Sequence, residues 1–418
     1  MPRQATRRHL PALVAAAGLA ALCAAPATAA ESEAALRAEL EALKRRISEL
    51  ERKLEARRRS ERQTEEKLAE LEKEVASAAE WKSPNTLIHM AGYADVGYTD
   101  ERSKSGTFDS VRFNPIVHYQ YRDLVMLESE LEFKVTEDGE TETALEYLTI
   151  DLFLNDYVTV VAGKFLSPVG WFRQNLHPSW INRLPSAPVG FGHDQAAPNA
   201  DVGLQVRGGF PAFGDFNRVT YALYVGNGPT LEADGGEIEM IETPGLASDA
   251  DGKKVVGGRL GVFLAQRRLE FGVSGATGKV SVTKNAGTSV SDGARGYRVL
   301  GADFTWRPWR LDLRGEYVRQ EVDDLASSAY ATGGGTWRAW YLQAAYRFRP
   351  TQWEAVARYA DYDTPHDSQD LRQWTLGVNY VFAANIVAKL AYEFNDNPNG
   401  GVAPSTDDRM LVQMAYGF

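Results

Sequence analysis

The chain ends in R-M-L-V-Q-M-A-Y-G-F, residues 409–418, and this stretch decides how the rest of the sequence is interpreted. Large apolar side chains recur at every second residue, which is the period of a β-strand with one apolar face rather than of a helix. The alternating set is Met410, Val412, Met414, Tyr416 and Phe418. A buried strand of a soluble β-sandwich has the same period, so the segment by itself leaves that alternative open.

A last strand that finishes on Phe resembles the closing strand of bacterial outer-membrane β-barrels, in which aromatic or aliphatic residues precede it at every second position. The resemblance implies that the barrel-assembly machinery recognises the alternating set. It also implies that the last strand pairs with the first, which removes the free edges of the sheet.

The bulk composition agrees with a transmembrane barrel. The 418 residues contain no apolar run of about 18 residues beyond the extreme N-terminus, so no membrane-spanning helix is predicted. Mean hydropathy is mildly polar, because each barrel strand gives half of its side chains to lipid and half to a wet lumen. The net charge of −10 argues against nucleic acid as a partner. The single cysteine, Cys23, lies in a segment expected to be cleaved, so neither a disulfide nor a thiolate metal site is expected.

Residues 1–30 are predicted to be a secretory signal peptide. Three arginines precede an apolar run, and small residues then supply a cleavage site. The arginines are Arg3, Arg7 and Arg8, the run is Leu10 to Ala25, and the cleavage site is Ala27 to Ala29.

Residues 31–80 carry a heptad pattern, which predicts a periplasmic α-helical coiled coil followed by a linker over residues 81–85. The apolar core positions are Leu36, Leu40, Leu43, Ile47, Leu50, Leu54, Leu68, Leu71 and Val75. A solitary charged helix or a flexible spacer is the alternative. The heptads do not determine the number of helices, nor whether the coil contacts the cell wall or another partner.

Residues 86–418 show sixteen segments of alternating character, separated by short turns on one side and longer polar loops on the other. This pattern predicts an all-β fold, a 16-stranded antiparallel transmembrane β-barrel. A charge facing lipid at mid-depth costs roughly 2 to 4 kcal/mol, so the charged residues are expected to face a wet interior. The acidic stretch Glu232 to Asp251 is expected to be an exposed loop.

The charged residues expected to line the lumen are unevenly distributed along the chain. The acidic ones come from early strands and are Glu128, Glu130, Glu132 and Asp151. The basic ones are Arg112, Arg207, Arg259, Arg314, Arg347, Arg349, Arg358 and Lys389. Opposed acidic and basic walls would place a transverse field across the pore and bias the entry of ions. The alternative is that the arginines merely pair with lumenal carboxylates such as Glu354 and Glu393.

The stretch Ser167 to Asn199 follows the fifth predicted strand and is unusually apolar for a loop, with two Trp, two Phe and five Pro. We expect it to fold into the barrel and form the constriction. Its cationic or titratable residues Arg173, His177 and Arg183, with Lys164 just before the loop, are predicted to contribute to selectivity. No two histidines have the sequence spacing of a metal site.

Together, the signal peptide, the heptads, Gly163-Lys164-Phe165 followed by Ser-Pro-Val-Gly, the sixteen strands and the terminal Phe resemble the phosphate-selective O and P type porins. The closest resemblance is to the branch with coiled coils, which includes dicarboxylate channels. It implies a homotrimer in the outer membrane of a Gram-negative bacterium, surrounded by lipid and lipopolysaccharide, without a cofactor. The loop lacks the constriction lysines of phosphate-selective members, so the resemblance implies a general preference for small anions or organic acids.

Two other functions are weighed against a porin. An enzyme is disfavoured because the sequence has no G-x-S-x-G, no H-E-x-x-H and no phosphate-binding loop. A structural tether between outer membrane and cell wall, with incidental pore activity, is the alternative that the coiled coil keeps open.

Overall fold

A computed structural model describes residues 40–41, 44–46, 48–49, 51–53, 55, 85–214, 216–249, 252–266, 268–398 and 407–418. The chain divides into two units, Met1–Lys82 and Ser83–Phe418. In the first unit the described residues are helical, and Leu40 is 54% exposed in the single chain. The signal peptide, the other heptad positions and residues 81–84 lie outside the described residues, so the coiled coil stays a prediction. Where the structure is described, no helix has the length and apolar character of a membrane span.

In the described part of the second unit, sixteen antiparallel strands close into a barrel, as the sequence predicts. The barrel strands are β1 (Thr86–Glu101), β2 (Thr107–Tyr121), β3 (Val125–Val135), β4 (Thr141–Asn155), β5 (Val158–Leu166), β6 (Ala200–Pro211), β7 (Arg218–Gly226), β10 (Val255–Leu264), β11 (Leu269–Val280), β14 (Arg295–Trp306), β15 (Leu311–Val322), β16 (Gly335–Arg347), β17 (Trp353–Asp363), β18 (Leu371–Ala383), β19 (Ile386–Asp396) and β20 (Arg409–Gly417).

The terminal strand closes the barrel by pairing with both β19 and β1. Phe418 continues this pairing beyond β20, because its amide donates to the Gly92 carbonyl at 3.0 Å and its carbonyl accepts from the Gly92 amide at 3.1 Å. The Phe418 ring stacks on Phe113 with 5.9 Å between centroids. Val412, Met414 and Tyr416 are exposed on the outer face, whereas Leu411, Gln413 and Ala415 between and before them are buried. The alternation therefore separates a lipid face from a lumenal face, as predicted.

The short turns lie at the end of the barrel where β1 begins and β20 finishes. In outer-membrane barrels the short turns face the periplasm, so we call this the periplasmic end. The short connections at residues 122–124, 156–157, 307–310 and 384–385 all lie there.

Two long loops at the opposite, extracellular end form a second sheet among the described residues. Its strands are β8 (Thr230–Asp234), β9 (Glu237–Glu242), β12 (Val282–Asn285) and β13 (Thr288–Ser289), in the order β13-β12-β8-β9. Leu231, Ile238 and Ile241 are buried in it. The prediction of an exposed loop over residues 232–251 is therefore wrong for residues 232–242, because alternating apolar residues among the acids pack as a small sheet. We call this four-stranded sheet the cap.

Candidate solute pathway and constriction loop

The segment between β5 and β6, residues 167–199, folds into the barrel and contains the short helix α1 (Phe172–Leu176). Its aromatic residues pack against the wall, and Phe191 meets Tyr341 of β16 edge to face at 5.1 Å. Val169, Phe172 and Leu176 are buried in the same apolar cluster, which also includes cap residues. The interior expected to be wet is thus partly filled by a packed core, since the apolar side chains of the loop are removed from water there.

A carboxylate of the wall anchors the beginning of the loop. Glu316 of β15 is 4% exposed and accepts hydrogen bonds from the backbone amides of Trp171 at 2.8 Å and Phe172 at 2.9 Å. Gly170 precedes these amides with a φ of +85°, and a Cβ there would lie 2.2 Å from a Glu316 carboxylate oxygen. The glycine of the Ser-Pro-Val-Gly segment therefore permits the close approach of this acid.

Two cations expected to line the lumen instead hold the later part of the loop. Arg358 donates to the carbonyl oxygens of Ser186 at 3.0 Å and Ala187 at 3.1 Å, and it is 1% exposed. Lys389 is similarly buried and donates to the carbonyl oxygens of Ser179 and Leu184. Their hydrogen bonds satisfy loop carbonyls that the barrel removes from water.

The three loop residues predicted to contribute to selectivity are themselves joined to the wall. Arg173 lies 3.3 Å from Glu146, and Arg183 forms an ion pair with Glu354 at 2.5 Å. His177 lies 3.4 Å from Glu130. Arg173 and Arg183 thus each have a carboxylate beside the guanidinium, which reduces its field at a distance.

Most of the predicted wall arginines lie beside carboxylates that stand on the same strand or one to two strands away in the barrel. The ion pairs are Arg112 with Asp95, Arg207 with Asp151, Arg259 with Asp303 and Glu270, Arg314 with Asp312, and Arg358 with Glu393. The acids are also engaged, because buried Glu130 accepts from Tyr93 at 2.8 Å and Asn114 at 3.1 Å, and Asn114 lies 3.4 Å from Glu132. Most of the predicted arginines therefore have an acid beside them, which agrees with the alternative that they pair with lumenal carboxylates.

Lys164 was predicted to contribute to the constriction, but the structure places it on the outer side of the wall. It pairs in register with Leu148 and Val202, and Leu148 is exposed on the outer face. The flanking Phe165 is buried inside. The period of two explains the correction, because adjacent residues of a strand face opposite sides.

A cavity of about 820 Å³ lies between the loop and the turns at the periplasmic end. We call it the arginine mouth, and among its described lining residues the charged ones are Arg183, Arg307, Arg310, Arg347, Arg349, Asp312 and Glu354. Arg347 donates to the Gln352 amide oxygen at 2.6 Å, and Arg310 donates to the Arg349 carbonyl at 3.2 Å. No described carboxylate lies within 4.0 Å of the guanidinium of Arg310, Arg347 or Arg349.

The sequence prediction missed Arg307 and Arg310, which lie in and beside a short turn rather than on an alternating strand. It also missed a pair of histidines on neighbouring strands, because sequence spacing does not show which residues face each other across a sheet. The Nδ1 atoms of His89 on β1 and His118 on β2 are 3.2 Å apart. Across the described residues, no group of three or more His, Cys, Asp and Glu could hold a metal ion.

Comparison with known proteins supports a family resemblance. A sequence profile of the family described as phosphate-selective porin O and P matches residues 256–418, which is less than half of the chain. The predicted resemblance to these porins is confirmed. No protein with a curated description matches the sequence significantly.

Solved porins and outer-membrane proteins share the fold. The anion-selective porin from Comamonas acidovorans has 15% identity and a TM-score of 0.51, over 80% of this chain and all of its own. The outer membrane channel DcaP of Acinetobacter baumannii has 11% identity and a TM-score of 0.51, over 81% of this chain and 99% of its own. The trimer form of OmpT from Vibrio cholerae has 12% identity and a TM-score of 0.51, over 80% of this chain and 99% of its own.

At these identities the likeness to solved structures is one of fold. The porin profile and the closed barrel together support an outer-membrane channel rather than an enzyme.

Proposed function

We propose that the protein is a passive diffusion channel for small hydrophilic solutes and that it favours small anions or organic acids. The observation that carries the preference is the arginine mouth, where the five arginines among the described lining residues exceed the two carboxylates. Elsewhere in the lumen the predicted arginines are mostly matched by neighbouring acids, so they contribute little net field. The mouth thus contributes most of the uncompensated positive charge along the pathway.

The loop directs solutes away from the side of the barrel that it fills. A second cavity of about 320 Å³ has a largely polar lining that includes Gln174, Gln205 and Arg207. The Arg112 side chain on β2 is also partly exposed, at 31%. We place the solute pathway along this polar side of the lumen, where water can solvate a passing ion.

The assembly that we propose follows the sequence predictions. The signal peptide directs export, and the barrel-assembly machinery inserts the barrel by recognising residues 410–418. The channel in the outer membrane is a homotrimer with a periplasmic coiled coil. Lipid and lipopolysaccharide surround it. The trimer form of the Vibrio cholerae protein and the anion selectivity of the Comamonas acidovorans porin support this proposal.

Planar-bilayer recording of the purified protein tests the proposed function. A trimeric channel is expected to open in triplet steps, and in a salt gradient its reversal potential is expected to lie on the anion side. An absence of conductance would favour the alternative role as a tether. A cation-side reversal potential would contradict the anion preference while leaving the channel itself intact.

A further inference from the structure

The histidine pair faces the lumen near the periplasmic end of the barrel. His89 and His118 are direct cross-strand partners in the pairing of β1 with β2. Residues with the same parity on these strands, Tyr93 and Asn114, are buried inside, whereas Ile88 and Met90 on the other face of β1 are 61% and 65% exposed. The alternation therefore directs both imidazoles inward, where ions in the lumen can reach them.

The geometry of the two rings suits two ligands of one metal ion. Their Nδ1 atoms are 3.2 Å apart, and the ring centroids are 5.4 Å apart. In a tetrahedral zinc site with bonds of about 2.0 to 2.1 Å, two nitrogen ligands lie roughly 3.4 Å apart. A small adjustment of either side chain would thus accommodate a metal between the two nitrogens.

A carboxylate on the next strand orients the pair. Glu128 of β3 lies 3.3 Å from Nε2 of His118 and also accepts from the Tyr147 hydroxyl at 3.3 Å. If Nε2 carries the proton donated to Glu128, the Nδ1 atom of His118 presents a lone pair toward His89. An imidazole with a carboxylate behind it and a lone pair in front is the arrangement that metal-binding histidines commonly show.

We infer that His89 and His118 form an exchangeable binding site in the lumen for a divalent transition-metal ion that prefers imidazole, such as Zn²⁺, Ni²⁺ or Cu²⁺. Two protein ligands are fewer than a resident structural metal uses, so water completes the coordination and the ion enters from solution. Glu128 acts as a positioning residue for His118. Occupancy adds positive charge beside the solute pathway, so the bound metal modulates conductance.

The test is calorimetric titration of the untagged, detergent-purified mature protein with NiCl₂ and, separately, ZnCl₂. We expect one ion per chain in the unsubstituted protein, loss of binding in His89→Gln and His118→Gln, and binding weakened on the order of 10-fold in Glu128→Gln. His366→Gln is the matched control, because this histidine contacts the Ile238 carbonyl of the cap at 2.7 Å and lies outside the pair.

Undiminished binding in His89→Gln or His118→Gln, or an equal loss in His366→Gln, would overturn the inference and leave the pair as a hydrogen bond of the wall. If His118→Gln does not fold, His89→Gln decides, since the His89 ring is exposed. Conductance recorded with and without NiCl₂ supplies a second readout. The titration requires neither an open channel nor anion preference, so its failure is separate from failure of the proposed function.

Discussion

Neutralising the arginine mouth is expected to shift ion preference toward cations. The substitutions are Arg310→Gln, Arg347→Gln and Arg349→Gln in one chain, because these guanidiniums line the cavity without a described carboxylate within 4.0 Å. Glutamine keeps a polar side chain of moderate length, so removal of charge is the main change. The paired cations Arg183 and Arg307 stay in place.

The magnitude follows from the size of the cavity. A sphere of about 820 Å³ has a radius of about 6 Å, so we place the guanidinium carbons about 8 Å from its centre. At that distance one unit charge contributes about 0.5 kcal/mol in water, and about 0.2 kcal/mol after screening in 0.1 M salt. Three charges contribute about 0.7 kcal/mol, which lowers the local concentration of a monovalent anion about three-fold and raises that of a cation equally.

The assay is the reversal potential of single channels in a potassium chloride gradient, recorded in low and high salt. The triple variant is expected to shift toward the potassium potential, and the shift is expected to shrink as salt rises because screening weakens the field. Arg298→Gln, Arg319→Gln and Arg338→Gln form the matched control, since these arginines lie on the outer face of the barrel. An unchanged reversal potential in the mouth variant, or an equal shift in the control, would refute this reasoning.

Three further predictions concern the loop, the terminal strand and the extracellular loops. Glu316→Ala leaves two buried loop amides without their acceptor, at roughly 1 to 3 kcal/mol each, so single-channel recordings are expected to show larger and noisier currents. Phe418→Ala removes the aromatic end of the closing strand and is expected to lower the amount of folded barrel in outer-membrane fractions, whereas Phe418→Tyr retains it. Burial acts to raise the pKa of Asp292, but the Ser328 hydroxyl at 2.5 Å and the Arg295 guanidinium at 3.1 Å help to hold that pKa below its usual value. The link from Asp292 to Ser328, which joins two extracellular loops, is therefore fully present above the ordinary aspartate pKa of about 3.9 and is lost as pH falls through the lowered value. Hydrogen exchange over residues 324–334 would report this loss. The Asp292→Asn variant is expected to be insensitive to pH.

The constriction loop shows what amino-acid composition alone can predict. Its apolar side chains and prolines predicted that residues 167–199 would enter the barrel, because such a segment is unfavourable in water. Composition did not reveal that Glu316, Arg358 and Lys389 on distant strands would hold it there. Those contacts join residues separated by more than a hundred positions, and only the closed barrel brings them together.

Alternation in the sequence by itself determined the class of fold, the number of strands and the lipid-facing side of residues 410–418. These features depend on a period of two, which each strand carries locally. Only the tertiary structure decided which charges cancel, that Lys164 faces outward, and that His89 meets His118. The physical reason is register, since the partner of a side chain across a sheet depends on how two separate strands align.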